Sequence, residues 1–254
     1  MYYLGEPALS FLIEDEGKKI LFDTGYSDVF LKNAEKMNLD LSDTDLIVLS
    51  HGHNDHSGGL RCLAEKKVRL PLLCHPNAFA YREDDDGLPI GSPLAEDEVQ
   101  RSFDLTCNDK PVQISEHLFY LGQIEESLPF EKRYAIGRRK NNEALEEDFI
   151  LDDSALAYKG KDGIFIITGC SHAGICNIIE QAKRVLNDDR IDGVIGGFHL
   201  FRTDERLEKT IEYFKRNRIS RLYPCHCVSL AAKIAMAGEL AIHETGVGLV
   251  LEIE

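Results

Sequence analysis

Four short apolar runs in this chain each give way to a polar loop that carries a histidine, and then to a helical pattern. Leu46-Ile47-Val48-Leu49 is continuous and apolar, the mark of a strand buried on both faces, and His51-Gly52-His53-Asn54-Asp55-His56 follows it. Leu60, Leu63 and Ala64 then recur at helical spacing. Ile164-Phe165-Ile166-Ile167 leads into Gly169-Cys170-Ser171-His172-Ala173-Gly174 and a helix with Ile175, Ile178, Ile179, Ala182 and Leu186 on one face. Val194-Ile195 leads into Gly196-Gly197-Phe198-His199 and a helix carrying Leu207, Ile211 and Phe214. Leu222-Tyr223 leads into Pro224-Cys225-His226-Cys227 and a helix near 230–237. Strand–loop–helix units predict an α/β architecture of sheets flanked by helices. Loops at strand ends are where such scaffolds hold their sites, because the sheet fixes the loop bases.

The remaining segments fill in around that rhythm. Residues 8–14 and 19–23 are strand-like and joined by Asp15-Glu16-Gly17-Lys18, which reads as a hairpin. Between the halves lies a less regular stretch, 76–153, with expected strands at 112–114 and 118–121. A last strand is expected over 247–253. No stretch is rich enough in Gly, Ser or Pro to act as a linker, so 1–254 reads as a single domain with an elaborated middle.

Composition narrows the function classes. The formal charge of −15 opposes extended nucleic-acid binding, which relies on Lys and Arg to displace counterions. No apolar run reaches the ~18 residues of a membrane span, and the N-terminus lacks the basic start and apolar stretch of a secretory signal. Seven cysteines, an odd number, argue for thiols in a reducing compartment rather than a disulfide framework. Cytoplasmic residence is the expectation that follows. The dense basic cluster Arg138-Arg139-Lys140 reads first as a solvated loop and second as an anion clamp.

Four metal-capable side chains within six residues point to a metal site. Neutral imidazole is the commonest transition-metal ligand, and a carboxylate oxygen supplies a second ligand type. His51 and His53, two apart in an extended segment, project to one side, while Asp55 and His56 begin the helix. Gly52 gives room for a tight turn and Gly58-Gly59 for close backbone packing. His75, His117 and His243 read as structural. Cys225 and Cys227 flank His226, and strand alternation turns both away from it, so burial is expected of them rather than ligation. Cys170 is close to the site and not counted as a ligand.

The His51-Gly52-His53-Asn54-Asp55-His56 segment resembles the HxHxDH signature of the metallo-β-lactamase superfamily, and Leu21-Phe22-Asp23-Thr24-Gly25 resembles the strand that precedes it. The motifs occur in the family's order and run through nearly the whole chain. The resemblance implies a four-layer αβ/βα sandwich holding one or two divalent transition-metal ions, zinc first, with manganese or iron accepting similar ligands. It implies His51, His53, Asp55, His56, His172 and His226 as ligands, with Asp23 accepting the N–H of a ligand histidine. A narrower similarity lies in Asp152-Asp153-Ser154-Ala155-Leu156, Gly169–Gly174, Gly196-Gly197-Phe198-His199-Leu200 and Tyr223-Pro224-Cys225-His226-Cys227. These resemble the subgroup named after 7,8-dihydropterin-6-methyl-4-(β-D-ribofuranosyl)aminobenzene 5′-phosphate synthase.

Two departures from the family pattern stand out. No bridging Asp lies where the family places one; the region reads Gly196-Gly197-Phe198-His199, with no acid until Asp204. His199 is expected to bind metal, contact substrate or shuttle protons, and without an anionic bridge the second ion is weaker or absent. The chain also opens almost directly at Ser10-Phe11-Leu12, so the N-terminal sheet is expected to be abbreviated.

The activity implied is hydrolysis by a metal-activated water, with Asp55 orienting the nucleophile and His199 protonating the leaving group. A phosphoester or other small anionic ester is the expected substrate, met by Arg138, Arg139 or Lys132. Neither membrane nor nucleic acid is an expected partner, and the sequence sets no oligomeric state. Two other readings stay open: a synthase joining a dihydropterin to an aminobenzene ribofuranosyl phosphate, and a non-catalytic metal-binding ligand sensor.

Overall fold

The structure, a computed structural model, describes residues 2–67, 69–141 and 144–254. The chain forms two compact units, Met1–Asp109 with Tyr134–Asp152, and Lys110–Arg133 with Asp153–Glu254.

In the first unit, β1 (Phe11–Asp15) and β2 (Lys18–Phe22) form the expected hairpin, pairing Asp15 with Lys18. Its two-residue turn puts Glu16 at φ 51° and Gly17 at φ 80°, the left-handed pair that matches the twist of the flanking strands. The chain continues through α1 (Val29–Lys36), β3 (Leu46–Val48), α2 (Asn54–Ser57), α3 (Leu60–Glu65), β4 (Pro71–Cys74), β5 (Arg82–Glu83), α4 (Glu96–Ser102) and β6 (Asp104–Cys107). The main sheet has the order β1-β2-β3-β4-β6, parallel from β2 onward. Leu21, Ile47, Leu49 and Leu72 from the sheet side pack with Phe30, Leu60, Leu63 and Val99 from the helices. Each such fully buried side chain contributes roughly 1.5–3 kcal/mol.

The second unit opens with β7 (Val112–Gln113), β8 (Leu118–Tyr120) and a 3-10 turn at Pro129–Glu131. The hairpin β9 (Arg138–Asn141) and β10 (Ala144–Glu147) then returns to the first unit and pairs through β9 with β5. The second unit resumes with β11 (Ala155–Lys159), β12 (Ile164–Thr168), α5 (Ile175–Leu186), β13 (Ile191–Leu200), α6 (Glu205–Arg216), β14 (Arg221–Val228) and α7 (Leu230–Ala237). Its six-stranded sheet runs β14-β13-β12-β11-β8-β7, with β12, β13 and β14 parallel. The Ile175, Ile178, Ile179, Ala182 and Leu186 stripe of α5 packs on Ile164, Ile166 and Val194, as its spacing predicts.

Three expectations are corrected. Residues 196–199 and 224–227 are not loops beyond their strands but lie within β13 and β14. The ladder steps from Gly196↔Pro224 to Gly197↔His226, so Cys225 is an extra residue bulged out of β14. A bulge is where a proline can sit in a strand, since no ladder donor is needed from it. The strand expected over 247–253 does not form: Leu249 N–H closes a turn onto Gly246 O, and Val250 is 74% exposed. Apolar composition without a partner edge did not make a strand there.

Candidate metal centre

The apolar strand β3 delivers Ser50 and His51 at its C-terminal end, and His53 then starts α2 in an extended conformation at φ −65°, ψ 150°. His51 Nε2 and His53 Nδ1 lie 3.1 Å apart, and donor atoms of His51, His53 and Asp55 fall within 4.8 Å of one another. His56 places Nε2 3.6 Å from Asp55 Oδ2 and Nδ1 2.6 Å from Asp23 Oδ2. His51 and His56 are fully buried and His53 nearly so.

Asp23 organises the tautomers. A carboxylate only accepts, so Ser50 N–H (2.7 Å to Oδ1) and Ser50 Oγ–H (2.8 Å to Oδ2) donate to it, as does His56 Nδ1–H. With its proton given to Asp23, Ser50 Oγ accepts from His51 Nδ1, 2.9 Å away. Both imidazoles therefore present Nε2 as a lone pair. Burial first, and the Arg82 guanidinium second, hold the His53 imidazole down at about 3, so it too is a neutral donor near pH 7.

These residues fit a divalent ion. Two ligands each ~2.0–2.1 Å from one tetrahedral ion stand about 3.3 Å apart, close to the 3.1 Å between His51 Nε2 and His53 Nδ1. Three imidazoles and a carboxylate are the mixed nitrogen–oxygen set that zinc, manganese and iron accept.

In the second unit, His172 is buried on the loop after β12, with its ring centroid 4.4 Å from that of His199. His199 is half-buried in β13 and packs edge-on to Phe201 at 4.9 Å. Cys170 Sγ lies within 4.8 Å of a ring nitrogen of His172 and within the same distance of one of His226. Sequence reasoning set Cys170 aside as a poor ligand candidate; its Sγ nonetheless stands at ligand spacing from both rings. Ser171, between Cys170 and His172, is left-handed at φ 65°, so strand alternation carried no signal of this approach. Cys227 Sγ also reaches Cys170 Sγ, at 3.4 Å, because the bulge at Cys225 and the φ of 48° at Cys227 break the alternation that would have turned it away. Cys225 is half-buried rather than fully buried as expected, and desolvation pushes its thiol up to about 11.

Backbone strain gathers at the same places. Asp23 (φ 60°), Ser171 (φ 65°), His199 (φ 49°) and Cys227 (φ 48°) all adopt the left-handed conformation without being glycine, a state that costs of order 1–3 kcal/mol and clusters at functional sites. Gly52 has a different reason from the turn expected of it. A Cβ there would lie 1.7 Å from Ala78 O and 2.4 Å from Arg82 Nη1, so the loop backbone rests directly on its neighbours. At Gly58 and Gly59, a Cβ would meet Tyr26 O at 2.3 Å and Thr24 O at 2.1 Å, the close packing expected of that pair.

Other candidates fall elsewhere. Arg138 pairs with Glu83 at 3.2 Å and Arg139 with Glu146 at 2.8 Å, so both arginines face carboxylates of their own small sheet. Lys132 is exposed beyond the 3-10 turn. His75 accepts Asn77 N–H at 3.1 Å, His117 lies beside Tyr158, and His243 stacks on Tyr223 at 4.7 Å.

The structure is an α/β fold with a buried histidine–carboxylate cluster that could hold a metal ion. The chain belongs to the metallo-β-lactamase superfamily, whose model matches residues 4–186, and whose members typically bind divalent metal ions. It is 32% identical over 246 residues to the 7,8-dihydropterin-6-methyl-4-(beta-D-ribofuranosyl)-aminobenzene-5′-phosphate synthase of Methanocaldococcus jannaschii, covering 91% of this chain and 84% of that one. The crystal structure of Tm1679, described as a metal-dependent hydrolase of the β-lactamase superfamily, superposes with a TM-score of 0.86 at 30% identity, covering 98% of this chain and 93% of that one. A flavorubredoxin of Aliivibrio fischeri is 43% identical over only 73 residues, 28% of this chain and 14% of that protein.

Proposed function

We propose that the protein is a metal-dependent hydrolase of small anionic esters, phosphoesters first. The observation that carries this reading is the convergence of His51, His53 and Asp55 donor atoms within 4.8 Å, with Asp23 fixing the tautomers. We assign His51, His53, Asp55, His56, His172 and His226 as ligands of one or two divalent ions, zinc first. Such an ion supplies Lewis acidity and brings the pKa of water toward neutrality. Asp55, at the start of α2, orients the nucleophile. His199 sits beside His172 and donates a proton to the leaving group. Lys132 is the better candidate for the substrate anion, since Arg138 and Arg139 already face carboxylates.

The identity to the methanogen synthase over 91% of the chain favours a second reading, the joining of a dihydropterin to an aminobenzene ribofuranosyl phosphate. One experiment separates the two. Protein purified without chelator is analysed for metal, then assayed on phosphodiester, ester, thioester and lactone panels and with dihydropterin donors plus ribotide. The hydrolase reading expects bound transition metal, turnover of a simple ester, and loss of both in His53→Ala. A condensed product without ester turnover assigns the synthase reaction instead. Absence of transition metal from the wild type refutes both.

A further inference from the structure

The Asp152-Asp153 pair belongs to a segment that marks the subgroup, yet neither residue is among the ligands. Both are fully buried. Asp152 Oδ2 accepts the N–H of Gly52, between His51 and His53, at 2.8 Å. Asp153 Oδ2 accepts the N–H of Ala173, next to His172, at 2.9 Å. Two consecutive carboxylates thus each hold the backbone of one histidine-bearing loop.

The first of these anchors is braced. Arg82, 1% exposed, donates from Nη2 to Asp152 Oδ1 at 2.5 Å and from Nε to Asp148 Oδ2 at 2.6 Å. Nη1 donates to Ala78 O at 3.4 Å, and Nη2 also reaches Asn77 O at 3.2 Å. Between the two aspartates, Ile150 adopts φ 48° and donates its N–H to Asp148 Oδ1 at 2.9 Å. A β-branched residue is an outlier in that conformation, and it persists only where the surroundings over-determine it. Here the bend turns both carboxylates onto one guanidinium.

Stability alone does not explain this cluster, because a buried ion pair is often matched by apolar residues of similar volume. Apolar residues would leave the Gly52 and Ala173 amides without these acceptors. We propose that Asp152 and Asp153 are positioning residues of the metal centre, each fixing one histidine loop through a backbone N–H, with Arg82 and Asp148 bracing Asp152. The inference rests on the metal-binding reading above.

The test compares apparent Co(II) affinity and the visible spectrum of Co(II)-loaded protein with the melting temperature of metal-free protein. Asp152→Asn places an amino group against one of two donors, and Asp153→Ala removes an acceptor. Each is expected to weaken Co(II) binding by about 10–100-fold, the usual effect of losing a group that supports ligands, and to alter the spectrum. Asp153→Asn still offers an oxygen to Ala173 N–H and should restore affinity to within about threefold. Asn33→Ala removes a buried side chain that bonds the Leu4 backbone and belongs neither to a histidine loop nor to the Arg82 cluster; it should lower the melting temperature while binding Co(II) within about threefold of wild type. Equal affinity losses in Asn33→Ala and Asp152→Asn, or none in Asp152→Asn and Asp153→Ala, overturn the proposal. Should the variants fail to fold, hydrogen exchange on the wild type decides: slow exchange at Gly52 and Ala173 is expected, and exchange at the unprotected rate overturns it. Wild-type protein that does not bind Co(II) refutes the metal reading instead, and the exchange result still reports on the two amide anchors.

Discussion

Asp23 occupies a left-handed backbone position at φ 60° and spends its carboxylate on Ser50 and His56. Aspartate and asparagine both tolerate that conformation, so Asp23→Asn isolates the side-chain chemistry from the backbone. An amide keeping its oxygen toward Ser50 N–H turns its amino group toward His56 Nδ1. The imidazole then accepts at Nδ1 and carries its proton on Nε2, the nitrogen beside Asp55. Zinc or cobalt affinity is expected to fall by about 10–100-fold with little change in the circular dichroism spectrum. An unchanged dissociation constant from metal titration would show that Asp23 does not set the tautomer. The pairing of Asp23 with a ligand histidine could be expected from family likeness, but the relay through Ser50 could not. A serine before a histidine carries no signal until the strand end brings Asp23 beneath it.

Among the helices, α5 shows how a distant residue supplies what local sequence lacks. Its N-cap position is Gly174, which has no side chain to accept the first-turn amides. Instead Glu131, from the 3-10 turn, accepts Asn177 N–H through Oε2 at 2.8 Å. A Cβ on Gly174 would meet that oxygen at 2.4 Å, and the backbone there has φ 96°. Burial raises the Glu131 carboxyl above its ordinary range despite the amides that favour its anion. A folded-state value above the unfolded one means the folded protein holds the proton more tightly. The stabilisation from this group is therefore full below the unfolded carboxylate value and is lost as pH rises through the folded one. Glu131→Gln does not titrate, so its melting temperature should gain on wild type as pH rises from acid toward neutral. A constant difference across that range would contradict the assignment. Glu131→Ala should cost about 1–2 kcal/mol through the lost cap, read by denaturant melts.

The fully buried β12 and the amphipathic α5 were legible because an unbroken apolar run or a one-sided stripe has few other solutions. The full lengths of β13 and β14 were not, since Gly196 and Pro224 read locally as breakers while the bulge that admits them is a property of the pairing. Cys170 was set aside as a ligand for a related reason: burial and ligation both predict a cysteine near a site, and its spacing to His172 and His226 is visible only in three dimensions.

For the molecule as a whole, the charge of −15 is the dominant long-range term. Self-repulsion of that size opposes compactness, and salt screens it over a Debye length of about 10 Å at ~0.1 M. Raising sodium chloride from about 0.02 M to about 0.3 M should lift the melting temperature of metal-free protein by about 2–4 °C, the shift that ~1 kcal/mol produces in a chain of this size. A flat or falling melting temperature in calorimetry would mean that local ion pairs, not net repulsion, set the salt response.

Among the described residues, ten left-handed non-glycine positions also divide the chain for anyone who would engineer it. At Lys67 and Arg218 the same backbone geometry serves only a turn, and glycine or asparagine there relieves strain without touching chemistry. At Asp23 and His199, to which the proposed function assigns roles, glycine would instead remove the side chain that acts. A thermostability screen blind to activity should therefore drift toward inactive variants first at these two positions.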